Sequence, residues 1–137
     1  MNGLPSFHDD FLVSYEVDCE ARRIRLRVKP DDRIEANKGL PSRVIIFEGV
    51  EGYQFVNDAF GNIIFSLECI SVEQLLDAYG TKTVASFRQA GAPGPWAADI
   101  AAAAQSLTSR GVRAFELSSS YGLSGWILTK EVLVEQA

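Results

Sequence analysis

The runs RVIIFEGV (Arg43–Val50), YQFV (Tyr53–Val56) and NIIFSLECI (Asn62–Ile70) decide how this chain folds. Each is short, apolar and rich in Val, Ile and Phe. Gly49 and Gly52 punctuate the first gap, and Asn57, Asp58 and Gly61 the second. β-Branched and aromatic residues bounded by turn formers mark consecutive strands. In the third run Ile63, Phe65, Leu67 and Cys69 alternate with Ser66 and Glu68, which predicts a half-buried antiparallel strand. Val44 to Phe47 is apolar on both faces, so this strand belongs at the centre of its sheet or under a second layer.

Working upstream, Phe7 to Cys19 also alternates, with Phe7, Phe11, Val13, Tyr15, Val17 and Cys19 on one face. Arg23 to Lys29 follows, with Ile24, Leu26 and Val28 inward and four basic residues outward. A short turn at Glu20-Ala21, with Cys19 opposite Arg22, sets a register, and a four-residue turn over Cys19–Arg22 preserves the same pairs. Val17 then faces Ile24, Tyr15 faces Leu26 and Val13 faces Val28, while Asp18 meets Arg23, Glu16 meets Arg25 and Ser14 meets Arg27. Apolar and charged pairs fall into place together, as a correct register requires. The basic row is thereby assigned to cross-strand pairing rather than to an anion site. Asp31 to Ser42, with Gly39 and Pro41, reads as an exposed loop.

Downstream, Ser71-Val-Glu-Gln74 is a capping box, and Val72, Leu75, Leu76 and Tyr79 share a helical face. Gly80 is expected to end this helix. Gly80 to Pro95 reads as a long loop. A second helix is expected from Trp96 to Arg110, driven by the alanine run Ala101–Ala104 and stopped by Gly111. Val112 to Leu117 is a strand, Ser118 to Gly125 a turn-rich loop, and Trp126 to Val134 a final strand with Trp126 packed inside. The expected fold is α+β: one domain over residues 1–137, with an antiparallel sheet system of about seven strands, sandwich or open barrel, and two helices.

The chain has 137 residues, long enough to bury a core unaided, and a net charge of -5. That balance argues against a general nucleic-acid binder. Neither a membrane span nor a secretory leader is visible. The expectation is a cytoplasmic protein with Cys19 and Cys69 as reduced, buried thiols.

His8 is the only histidine. His8 and Asp10 share a face by alternation, but a metal site usually needs three or four ligands, so no metal and no cofactor is expected. No Gly-x-Ser-x-Gly elbow, dinucleotide fingerprint or phosphate loop occurs, and no catalytic residue is assigned. Glu48, Glu51 and Glu68 read as solvent-facing strand residues. One segment has the composition of a recognition surface. Ser118 to Trp126 combines small polar residues and glycines with Tyr121, the mixture of rigid aromatic and adaptable neighbours that binding loops use. Ser119, Ser120, Tyr121 and Leu123 are therefore the candidate binding residues.

His8-Asp9 ahead of an alternating strand, Phe60-Gly-Asn-Ile-Ile-Phe65 with Glu68, and Ser120-Tyr-Gly-Leu-Ser-Gly-Trp-Ile-Leu128 resemble small bacterial proteins grouped with the immunity proteins of polymorphic toxin systems. The likeness spans both ends and the centre but not Gly80 to Gly111. It implies a non-enzymatic protein that binds and neutralises a partner toxin. The alternative is a small-molecule-binding or hydrolytic protein with a pocket between sheet and helices.

Overall fold

A computed structural model describes residues 4–89 and 100–137, the stretch 81–89 by its backbone alone. The described residues form β1 (Phe11–Asp18), β2 (Arg23–Lys29), β3 (Arg43–Glu48), β4 (Gly52–Val56), β5 (Asn62–Ile70), α1 (Val72–Gln89), α2 (Ile100–Ser109), β6 (Arg113–Tyr121), β7 (Ser124–Thr129) and β8 (Glu131–Gln136). This is the α+β architecture expected, with an antiparallel sheet and two helices.

Hydrogen bonding orders the strands β4-β7-β6-β5-β1-β2-β3-β8, every neighbouring pair antiparallel. Two connections forbid this row from lying flat. β3 and β4 sit six places apart, about 29 Å at the usual strand spacing. Yet only Gly49, Val50 and Glu51 join them, a link of at most about 14 Å. Lys130 alone joins β7 to β8, also six places apart. The row is therefore rolled, and its two ends meet. At the meeting point Lys130 N–H donates to Glu48 O (3.2 Å), Glu51 N–H to Leu128 O (2.8 Å), and the Thr129 hydroxyl to Glu48 O (2.6 Å). Gly49, at φ +67°, supplies the left-handed backbone the corner needs.

The inner face of the roll is one core, with Ile24, Leu26, Val28, Ile45, Phe47, Ile64, Leu67, Phe115, Leu117 and Ile127 all buried. Phe7 from the N-terminal segment joins it, and Phe47 meets Phe115 edge-on at 5.6 Å. A second core lies outside the roll. There Leu75 and Leu76 of α1 and Ala103, Ala104 and Leu107 of α2 pack on Ala114, Trp126 and Leu128. The alanines let α2 lie close.

The first hairpin keeps the expected register from Ser14↔Arg27 to Asp18↔Arg23, with the turn at Cys19–Arg22 and Arg22 at φ +53°. It departs at Val13. A bulge there pairs Val28 with Leu12, so Leu12 is buried and Val13 points out. β5 departs in the same way. Register shifts between Ile63 and Ser66 bury Ile64 and leave Phe65 exposed, against the alternation expected from sequence. An extra residue reverses the facing of all that follows it, and period-two reading carries no sign of it.

Three further expectations are corrected. Cys19 and Cys69 are exposed, Cys19 in the hairpin turn and Cys69 near the end of β5. Gly80 does not end α1, which continues to Gln89. Trp96 to Asp99 lies outside the described residues, but α2 does stop at Gly111, whose φ of +78° lets Gly111 N–H reach Thr108 O (3.1 Å) and Val112 N–H reach Leu107 O (3.0 Å). The final strand is two strands, split at the Lys130 corner. The capping box forms as read, with Gln74 N–H donating to Ser71 Oγ and Ser71 N–H to Gln74 Oε1, both 3.0 Å.

Trp126 is 2% exposed, as expected, but in the sheet–helix layer rather than inside the roll. Trp126→Ala is expected to destabilise the fold by about 3–5 kcal/mol in denaturant melts, the usual cost of deleting a buried large aromatic.

Candidate functional site

The segment Ser118–Gly125 connects β6 to β7 as its composition suggests, but it is not a free loop: Ser118, Ser119 and Tyr121 pair with β5. β6 runs through Tyr121 beside β5, but its pairing with β7 ends at Leu117↔Gly125, so Ser118 to Ser124 connect the two strands. Leu123 is 2% exposed and belongs to the inner core, which removes it from the candidate binding residues. Ser119 is structural: its hydroxyl donates to Leu123 O and its N–H donates to Ser124 Oγ, tying the turn shut. Ser120 and Tyr121 are exposed, Tyr121 at 58%.

The turn is held from β5. Asn62 is buried at the start of that strand, and its Oδ1 accepts the Leu123 N–H at 2.8 Å and the Ala59 N–H at 3.0 Å. Its Nδ2 donates to Asp58 Oδ1 at 2.9 Å. Gly122, at φ +95°, lies so close that a Cβ there would run into the Asn62 side chain. Asn62 thus fastens the β6–β7 turn to the β4–β5 loop, residues 57–61.

That loop is built around Asp58. Asp58 Oδ1 also accepts the Phe60 N–H (2.9 Å), and Oδ2 accepts the Tyr15 hydroxyl (2.8 Å). These bonds hold the Asp58 carboxyl below the ordinary carboxylate range, the Asn62 bond first among them, and the same carboxylate raises the Tyr15 phenol above the ordinary tyrosine range. Tyr15 packs edge-on against Phe55 at 5.8 Å, and Phe55 lies 5.4 Å from Tyr53.

The result is a braced loop that presents one side chain. Phe60 sits at φ +60°, a conformation a bulky residue rarely adopts, and is 97% exposed. Asn57 is left-handed too, at φ +66°. Val56, which pairs with Ser124 beside the turn, and Tyr121, which pairs with Ile63, are the exposed apolar neighbours on adjoining elements. Sequence reading quoted Phe60 only as part of a motif and did not assign it a role. A signal was present: an aromatic between Asn57-Asp58 and Gly61 belongs to neither flanking strand and has no core to enter.

Other features do not converge in this way. His8 and Asp10 are not brought together as ligands: His8 Nε2 lies 3.4 Å from Asp9, and Asp10 is buried against Arg43 at 2.9 Å. Among the described residues no three His, Cys, Asp or Glu side chains cluster as a metal site. A cleft of about 230 Å³ opens between the β1–β2 turn and β4, lined by Val17, Arg22, Val50 and Tyr53. A groove of about 840 Å³ runs between the helices, with Glu73 and Asp77 on one wall, Gln105 and Thr108 on the other and Ala104 in its floor. The layer between sheet and helices is filled by Leu75, Leu76, Leu107 and Trp126. No helix among the described residues is long and apolar enough to cross a membrane.

Asn62→Ala leaves the buried Leu123 N–H without its acceptor and is expected to cost about 2 kcal/mol in denaturant melts. Asp58→Asn is expected to bring the Tyr15 titration back down toward the ordinary range, measured by ultraviolet pH titration against Tyr15→Phe. Because the raised phenol binds its proton more tightly when folded, its contribution is present below pH 10.0 and declines as pH rises above it.

Family models, curated proteins and solved structures were all compared with the chain, and none matches it.

Proposed function

We propose that this chain is a non-enzymatic protein-binding module of the immunity type, which acts in the cytoplasm by holding a partner protein, such as a toxin, through the end of the roll that carries Phe60. One observation carries the reading: a 97% exposed phenylalanine held at positive φ by a buried asparagine and an aspartate. Left-handed backbone at a bulky residue costs of order 1–3 kcal/mol and persists only where its surroundings impose it. A loop that merely linked β4 to β5 could carry Gly or Asn at that position without this cost.

The arrangement suits binding for a second reason. An anchor already fixed in its bound conformation loses little entropy when it docks. Aromatic anchors in desolvated pockets are the side chains on which interfaces most depend, at 2 kcal/mol or more each. Tyr121 and Val56, on the strands that flank the loop and its neighbouring turn, are also exposed. The matching partner surface is an apolar pocket that admits one aromatic ring.

A photo-crosslinking phenylalanine analogue in place of Phe60, expressed in the source cell, is expected to join the chain to one protein in defined stoichiometry. Phe60→Ser is expected to weaken binding of that protein about thirtyfold or more in calorimetric titration, with the melting temperature unchanged or raised. Tyr121→Ala is expected to weaken it less. A partner bound equally well by Phe60→Ser would place the interface elsewhere.

A further inference from the structure

The helices shield only part of the roll's outer surface. Their core meets the sheet at Ala114, Trp126 and Leu128, on β6 and β7. The outer face of β2, β3 and β8 contributes nothing to that cluster. Alternation shows what this face displays. Ile24, Leu26, Val28, Ile45, Phe47, Val132 and Val134 turn inward onto the main core. Their neighbours along each strand turn outward, and the strand register sets them in rows. Arg27, Val44 and Glu135 form one row, Arg25, Ile46 and Leu133 the next, and Arg23, Glu48 and Glu131 the third.

The face is therefore ordered by charge across the strands. β2 contributes a basic column, β3 Val44 and Glu48 on either side of Ile46, which its neighbours already bury (8% exposed), and β8 an acidic column broken by Leu133. Local pairing uses part of this charge: Arg25 lies 3.6 Å from Glu16, and Arg23 lies 3.6 Å from Glu48. Arg27, Glu131 and Glu135 enter none of the ion pairs among the described residues. Leu133 is 46% exposed at the sheet's end strand.

A face that is positive on one side, mostly apolar in the middle and negative on the other is complementary to itself. From this charge pattern we infer that a second copy of the chain docks here, sheet face to sheet face, about a two-fold axis running along β3. Rotation about that axis keeps each residue at its level along the strands and exchanges the β2 and β8 columns. Arg27 then meets Glu135 of the second copy, Arg23 meets its Glu131, the Arg25 stem meets its Leu133, and on the axis Val44 and Glu48 meet their own counterparts, Glu48 with its charge offset by Arg23 of its own chain. The two copies stack at the roughly 10 Å spacing of packed sheets, within reach of an arginine and a glutamate extended toward each other. Each contact off the axis is made twice, as a two-fold interface requires. This face is separate from the Phe60 surface, and the inference does not rest on the proposed partner.

Sedimentation equilibrium of the full chain, from low micromolar to millimolar concentration, tests it. The wild-type chain is expected to dimerise reversibly, more weakly as salt is raised. R27E and E135R each place like charges opposite one another, and each is expected to weaken dimerisation about tenfold or more. The double variant R27E/E135R restores both pairs and is expected to recover the dimer. An equimolar mixture of the two single variants is also expected to recover it, as a heterodimer. Leu133→Lys probes the contact with the Arg25 stem and is expected to weaken association, whereas Phe60→Ser leaves it unchanged. Circular dichroism confirms that each variant is folded. A wild-type chain that stays monomeric overturns the inference. So does a folded R27E that associates as the wild type does, or a failure of both the double variant and the mixture to recover association.

Discussion

The rolled sheet depends on two strands that change partners in mid-course. β3 becomes β4 across Gly49–Glu51, and β7 becomes β8 across Lys130. Both changes occur at the same place, where Thr129, Lys130 and Glu51 bond to Glu48 and Leu128 across the corner. A flat row of eight strands would need links far longer than one and three residues. Rolling removes that conflict and gives the chain an enclosed core lined by Phe47, Phe115 and Ile127. It also divides the outer surface. The β6–β7 part lies under the helices, and the β2, β3 and β8 part keeps its charged columns. The two surfaces proposed for recognition, the Phe60 end and the β2–β3–β8 face, are both consequences of how the sheet turns.

Much of the fold was legible because burial writes a period into sequence. The β1–β2 register followed from Val17, Tyr15, Ile24 and Leu26 alone, and the charged pairs Glu16↔Arg25 and Asp18↔Arg23 agreed with it. The capping box at Ser71 and the Gly111 stop were equally local. What was lost had a common cause. Val13 and Phe65 looked inward by alternation, yet each lies at a bulge near the β1–β5 junction and points out. A bulge adds one residue without changing composition, so only the tertiary pairing reveals it. The cysteines failed for a related reason: both stand near strand ends, where alternation continues but the core does not. Gly80 failed because tertiary packing overrode a weak local preference. Gly80 keeps helical backbone, and the side its Cβ would occupy faces Leu76 of its own helix and Ile100 of α2.

The candidate site was half legible. Tyr121 was found from composition and is exposed. Leu123, drawn from the same segment, is core, because the connection is drawn against β5, where Asn62 holds the Leu123 N–H. Gly122 allows the close approach to Asn62, and a Cβ on Gly125 would strike Gln54 O on β4. Phe60 was not assigned, since nothing local distinguishes an aromatic displayed on purpose from one that packs. Its partners Asp58 and Asn62 are close in sequence, but Tyr15 and Leu123, which complete the brace, are 43 and 61 residues from the groups they bond.

The seam between β1 and β5 links these parts. It pairs only Phe11 with Ile63 and Leu12 with Asn62, less than any other adjacent pair in the sheet. The elements beside it supply what the ladder lacks. On one side the N-terminal segment crosses the seam, with Asp9 N–H bonding Ile64 O and Ile64 N–H bonding Asp10 O. Phe7 fills the core beneath, and the Arg43 guanidinium lies 4.5 Å over its ring while bonding Asp10 and Ser6 O. Burial raises the Asp10 carboxyl's pKa even though Arg43 opposes the shift. The pair therefore offsets its own desolvation only in part, as buried ion pairs commonly do, and its role is to fix the segment in place. On the other side Asn62 is at once a seam residue and the brace of the Phe60 loop. The junction with the fewest pairs in the sheet and the most exposed aromatic among the described residues are thus tied through one residue: Asn62 pairs with Leu12 in the seam, and its side chain bonds the Asp58 that holds the Phe60 N–H.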